Sequence, residues 1–452
     1  MRSSIWPCRA SVNSSPSSAN CWGCWNNLRC GRRLPHTGSA LRLSVLPPSF
    51  GLWRLIWCWL VLVVLVSVAG CERKGRAAVG DGLPPVLKIG VYMPMTGDTA
   101  TFGTSSMGGI RLATEQRNAA GGIRGSRIEL ILEDDRGQPE EAKTVVTRLV
   151  TREKVIAVLG EVGSARSIVA ASVCQQKRVP MLTPSSTNEK VTRKGDFIFR
   201  VCFIDPFQGE AAAKFAVQDL KLRRAAIITD VKNDYSVGLT KSFRESFTRL
   251  GGTVVIEKNY QAGDASFNAQ LTGIREAGVD FIYAPGYYGD VGQIIKQARE
   301  LGIRVPFIGG DGWDSPDLWR GGKEALDGCF ITNHYSVDNP DPRVQAFIAA
   351  YRQRYGDTPD ALAALAYDGA QVLYAAIERA NSTDGEKIRD ALAATRDFPG
   401  VTGTISLDAN RNAVKPAVIL ELRDGSYHYR TTIHPSSDQE TEVPNVHGQA
   451  PR

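Results

Sequence analysis

VIAVLGEVGSARSIVAASVCQQKRVPMLTPSST, residues 155–187, carries the reading of the fold. An apolar run, 155–160, stops at a glycine. A stretch of helical period, 164–176, follows, and a second apolar run, 180–183, ends at Pro184-Ser185. Strand, helix and strand in so short a span describe a βαβ unit, whose two strands lie parallel. Ser164 opens the helix, while Ser185, Ser186 and Thr187 follow the second strand. In open α/β sheets, ligands bind beyond the carboxyl ends of the strands, so these hydroxyls lie where a site is expected.

The same alternation extends in both directions. Further runs rich in Val, Ile and Leu lie at 87–93, 128–133, 225–229, 253–257, 281–284, 306–309 and 328–332. Helical stretches at 104–119, 138–152, 207–220, 236–250, 266–277 and 289–301 separate them. The class is α/β, with parallel sheets covered on both faces. Two long helical stretches, 341–355 and 360–380, precede an expected hairpin of Thr402–Leu407 and Ala417–Arg430, through which the chain returns to an earlier domain. So many strands in a chain of this length exceed one core and predict two α/β lobes with several crossings between them.

The amino-terminal end reads differently. Leu55 to Val66 are consecutively apolar, preceded by Arg54 and followed by Ser67-Val68-Ala69-Gly70-Cys71. The run is shorter than the ~20 residues of a spanning helix, and its flanks are those of an export signal. V-A-G-C resembles the bacterial lipoprotein signal, which implies lipidation of Cys71. Residues 1–70 then form the signal segment, 71–85 a polar tether and 431–452 a disordered tail. Residues 1–50 lack periodicity and are long for a leader, which suggests a start downstream of Met1. Seven of the 54 basic residues lie in 1–70, which holds no Asp or Glu, leaving 47 basic and 47 acidic residues in 71–452. The apparent charge of +7 therefore belongs to the leader, and nucleic acid is not an expected partner. Of nine cysteines, only Cys174, Cys202 and Cys329 follow Cys71. They fit one disulfide with a free thiol, or three buried thiols.

Catalytic and cofactor signatures are missing. After the first strand, residues 95–103 read MTGDTATFG, without the spacing of a dinucleotide fingerprint; neither a phosphate-binding P-loop nor G-x-S-x-G occurs. His334 and His428 are the only histidines between Cys71 and the tail, too few for a metal or general-base cluster. Neither cofactor nor metal is expected, and Asp134-Asp135, at a strand end, reads as solvated. What remains after the strands is Ser164, Ser185-Ser186-Thr187, Tyr235, Tyr287-Tyr288 and Asp311. Together they supply hydroxyl donors and a helix start for a carboxylate, an acid for an ammonium, and aromatic walls.

IGVYMPMTG at 89–97, NAAGGIRGSRIEL at 118–130, TPSST at 183–187, GYYGD at 286–290 and FIGGDGW at 307–313 resemble the periplasmic leucine/isoleucine/valine-binding proteins, the solute receptors of branched-chain amino acid ABC transporters. The resemblance runs from about Leu87 to Tyr429. It implies the type I periplasmic binding protein fold, two Rossmann-like lobes joined by three crossovers: 86–205 with 335–414, and 206–334 with 415–430. It implies no catalysis. Ser164 and Thr187 match hydroxyls that hold the ligand α-carboxylate, and Ser185 a backbone carbonyl that accepts from the α-ammonium. Asp311 matches the acid paired with that ammonium, Tyr235 and Tyr287 the aromatics that close on it. Phe102 and Tyr367 match side-chain walls. Implied partners are an amino acid, an ABC permease with its ATPase subunits, and a membrane reached through lipid on the periplasmic side; the receptor is expected to be monomeric. Asp311 replaces a longer Glu, Phe102 replaces a Tyr, and Gln138 and Gly163 stand where a disulfide would be, which leaves side-chain preference open. A sensing subunit, or a receptor for amides, urea or aromatic acids, are the alternative expectations.

Overall fold

A computed structural model of the chain describes residues 82–435. The expected signal segment, Cys71 and residues from 436 onward lie outside these. The first sheet has five parallel strands: β1 (Val86–Met93), β2 (Arg127–Asp134), β3 (Ala157–Leu159), β4 (Met181–Thr183) and β5 (Ile198–Arg200), in the order β2-β1-β3-β4-β5. β3, β4 and β5 are buried throughout, as strands covered on both faces must be. The covering helices include α1 (Ala100–Ala119), α2 (Pro139–Arg148) and α3 (Ser164–Lys177).

The chain then crosses into α4 (Asp205–Lys214) and a second sheet built from β6 (Arg224–Asp230), β7 (Thr253–Tyr260), β8 (Phe281–Tyr283), β9 (Phe307–Gly309) and β10 (Cys329–Asn333). These five are parallel in the order β7-β6-β8-β9-β10, the winding of the first sheet repeated. Helices α5 (Asp234–Arg249), α6 (Asn268–Ala277), α7 (Tyr288–Glu300) and α8 (Pro316–Gly322) link its strands. A second crossing leads to α9 (Pro342–Tyr355), α10 (Ala361–Ala380) and α11 (Gly385–Ala393), with a small antiparallel sheet of β11 (Phe398–Gly400), β12 (Gly403–Leu407) and β13 (Ala413–Val414). The third returns the chain as β14 (Ala417–Arg423), antiparallel to β10, and β15 (Ser426–Ile433). Gly108-Gly109 belong to helix packing: a Cβ on Gly109 would overlap the Ala363 carbonyl of α10.

Several expectations are corrected. Thr402–Leu407 and Ala417–Arg430 do not form a hairpin. β12 pairs with β11 and β13, whereas β14 pairs with β10 and turns at Asp424-Gly425 into β15. The terminal strand reaches Ile433, so residues 431–433 are sheet rather than tail. β5 and α11 had no counterpart in the sequence reading. Cys174, Cys202 and Cys329 are buried free thiols. Among the described residues, no helix is long and apolar enough to cross a membrane.

Candidate functional site

The carboxyl ends of the two sheets face one another, and the expected residues come from matching places on them. β1, β3 and β4 are followed by Phe102, Ser164 and the Ser185–Thr187 loop. The equivalent strands β6, β8 and β9 are followed by Tyr235, Tyr287 and Asp311.

On the first-sheet side, Ser164 begins α3 after an extended Gly163 and is buried. Its Oγ accepts from the Asn188 N–H at 3.2 Å. The loop beside it is held from within. Thr183 Oγ1 accepts from the Ser186 N–H at 3.0 Å, and the Ser186 hydroxyl lies 2.7 Å from that of Ser167. Arg200, fully buried, donates to the carbonyls of Ser186 and Asn188. Ser185 Oγ and Thr187 Oγ1 are buried without partners among the described residues. With the free N–H groups of α3, this is a donor-rich concavity suited to an anion.

Across the cleft, Asp311 is 5% exposed and collects three donors. Gln208 Nε2 and the Tyr235 hydroxyl donate to Oδ1 at 2.7 and 2.9 Å, and His334 Nε2 lies 3.1 Å from Oδ2. Burial lowers the His334 pKa to about 4 against the pull of Asp311, so the neutral ring donates through Nε2. Burial and the Asp311 charge raise the Tyr235 pKa, keeping its hydroxyl protonated as a donor. The loop is fixed from behind by Trp313, whose indole N–H donates to the Ala284 carbonyl at 3.0 Å. Tyr427 of β15 donates to the Trp313 carbonyl at 2.8 Å, so the last hairpin braces the acid.

Aromatic rings close the space between the two sides. Tyr235 and Tyr287 stack at 5.4 Å, and Phe102 meets Tyr287 and Tyr288 edge-on at 5.4 and 4.9 Å. The rims touch directly. Tyr288 donates to the Asp98 carbonyl at 2.7 Å, the Thr101 and Ser315 hydroxyls are 2.9 Å apart, and Lys190 meets Asp234 at 2.7 Å. The cleft is closed.

Seven of the eight expected residues therefore converge. Tyr367 does not join them: from the middle of α10 its hydroxyl donates to Gln116 at 2.7 Å, and its ring packs on Phe347. The sequence reading missed Gln208 and His334, which lie on or beside the crossings. The shortness of Asp311 was a usable signal, because a recessed carboxylate needs donors behind it. Asp135, expected to be solvated, is fully buried beside Arg166, and burial lifts its pKa to about 6. Among the described residues, no cluster of His, Cys, Asp or Glu has metal-binding geometry.

Residues 86–426 match the family described as periplasmic binding protein. A leucine-, isoleucine-, valine-, threonine- and alanine-binding protein of Pseudomonas aeruginosa is 31% identical over 348 residues, 77% of this chain and 91% of that one. The crystal structure of a leucine binding protein, LivK, from Thermotoga maritima aligns with a TM-score of 0.74 at 41% identity, covering 77% of this chain and 99% of that one. The branched-chain amino acid substrate binding protein LivJ of Streptococcus pneumoniae, solved in complex with isoleucine, aligns at 0.74 and 35% identity, covering 77% and 100%.

Proposed function

From the chain's membership of the periplasmic binding protein family, we propose that it is an extracytoplasmic receptor that binds an amino acid, branched-chain or similar, between two closing lobes and delivers it to an ABC permease. The observation that carries this reading is the opposition of unpartnered hydroxyls at Ser185 and Thr187 to a recessed acid, Asp311, across one closed cleft. A carboxylate placed at the start of α3 receives the N–H groups and the hydroxyls of Ser164 and Thr187. The ammonium then lies toward Asp311 and the Ser185 carbonyl, while Phe102, Tyr235 and Tyr287 exclude water. Burying both charges is favourable only when both are matched, so the head group selects α-amino acids.

The residues perform binding alone. Among the described residues of the cleft, His334 is neutral and committed to Asp311, so it is not free to act as a general base. The hinge is the set of three crossings near 201–205, 334–341 and 415–416, which divides the molecule into lobes at 86–205 with 335–414, and 206–334 with the returning hairpin. Cys71 supports lipid attachment on the periplasmic side of a membrane. The test is a thermal-shift screen of amino acids on the purified protein. Leucine, isoleucine or valine at a hundred times its Kd should stabilise it by about 2.7 kcal/mol. No shift with any amino acid would exclude the assignment.

A further inference from the structure

Resting on the amino-acid reading and the lobe division above, we propose that Asp314 is a positioning residue that holds the cleft shut around the ligand by capping helix α10 from the opposite lobe. Asp314 follows the tight turn Asp311–Trp313, and its backbone N–H donates to the Asp311 carbonyl at 3.0 Å. One turn of chain therefore carries two buried acids with different tasks. Asp311 receives the proposed ammonium. Asp314 reaches across: its Oδ2 accepts from the Ala361 N–H at 2.9 Å, and Ala361 is the first residue of α10. By the proposed division, residues 311–314 and α10 belong to different lobes, so this bond exists only while the two are together.

Both ends of the bond are prepared for it. The N–H groups of a helix's first turn have no partner inside the helix. Asp360, the N-cap of α10, accepts from the Ala363 N–H at 2.8 Å and from the Ser105 hydroxyl, which leaves the buried Ala361 N–H to Asp314. On the other side, Asn333 Nδ2 donates to the same Asp314 oxygen at 2.9 Å, while His334, next in the chain, lies 3.1 Å from Asp311. Two consecutive residues, where β10 gives way to the second crossing, thus anchor both acids. The turn that meets the ligand and the side chain that caps α10 move as one piece. Burial and the nearby Asp360 charge push the Asp314 pKa up, to about 7. The cap holds in either state, because Oδ2 accepts whether or not the other oxygen carries a proton.

Ala361→Pro tests the bond without touching the acid loop. Proline suits the first position of a helix, and the residue before it, Asp360, is already extended. The substitution removes the N–H and sets a ring carbon toward Asp314 Oδ2. Labelled leucine, isoleucine or valine, whichever is held most tightly, should leave the variant at least about tenfold faster than wild type in a chase with unlabelled amino acid, with association changed by less than about threefold. The ligand-free variant should melt as wild type does, which a merely structural role for the bond would not allow. In the wild-type protein, the Ala361 amide should exchange with deuterium slowly when ligand is bound and rapidly when it is not, a measurement that stands even if the variant does not fold. Release from the folded variant as slow as from wild type, or exchange at Ala361 that ignores ligand, would overturn the proposal and leave the amino-acid reading intact. Wild-type protein that retains none of the three amino acids would overturn the branched-chain reading and the proposal together.

Discussion

At the scale of single residues, the proposed recognition turns on Asp311. Three donors reach its carboxylate, but a neutral His334, Gln208 and Tyr235 bring no positive charge. The counter-charge must come with the ligand. Asp311→Ala should weaken amino-acid binding by at least ~2 kcal/mol in a calorimetric titration, because the buried ammonium loses its partner. Unchanged affinity would remove Asp311 from the site. Asp205 makes a different prediction. Its backbone N–H donates to the Thr187 carbonyl at 3.0 Å, and both carboxyl oxygens are buried without partners among the described residues. Burial lifts its pKa from 3.8 to about 7 against the pull of the Arg200 charge. Between those values the folded protein holds a proton that the unfolded chain releases. This contribution to stability is therefore present at low pH and lost as pH rises from about 4 to about 7. Asp205→Asn should flatten that part of the pH–stability curve, a change of at most about 4 kcal/mol between pH 4 and 8 in denaturant titrations. Parallel curves for the two proteins would refute it. The first result was legible in the sequence and the second was not. The sequence places Asp311 after a strand, but nothing local reveals that Asp205 or Asp135 is buried, because burial is decided by elements distant in the chain.

Secondary-structure elements were readable in proportion to how local their causes are. The central strands announce themselves as apolar runs because both faces are covered, and α3 and α10 show their period directly. β5 is three residues long and leaves no pattern. β15 is only partly covered, and its end, 431–433, reads as polar tail until its pairing with β14 is known. The expected terminal hairpin failed for a related reason: β14 has its long-range partner in β10, some ninety residues earlier. Two apolar strands near in sequence are not thereby neighbours in space. Helix contacts are legible where glycine marks them. Gly109→Ala places a methyl against backbone of α10, which cannot rotate aside. It should cost about 1–3 kcal/mol in chemical denaturation, whereas Gly121→Ala, with open space around its Cβ position, suffers only the strain of a positive φ. A Gly109→Ala protein as stable as wild type would show that the α1–α10 approach is less tight than described.

The molecule as a whole behaves as two sheets that meet at their carboxyl ends, and its rim contacts allow a direct test of closure. Thr101 and Ser315 face each other across the cleft with hydroxyls 2.9 Å apart. Replacing both with cysteine and oxidising should lock the rims, with the buried Cys174, Cys202 and Cys329 out of reach. Amino acid captured before oxidation should then dissociate at least ~100-fold more slowly, and reduction should restore exchange. Unaltered release from a crosslinked protein would mean that ligand leaves without separation of these rims. The repeated winding, β2-β1-β3-β4-β5 against β7-β6-β8-β9-β10, has one more consequence. A dipolar guest of the proposed kind would lie between two sheets of the same winding, whose strand order alone does not tell its two ends apart. Which end goes where is written only in side chains: hydroxyls after the third and fourth strands of one sheet, a phenol and an acid after those of the other. Polarity of the guest is thus a property of a few exchangeable residues, and a descendant of this scaffold could reverse or abandon it without altering a single strand.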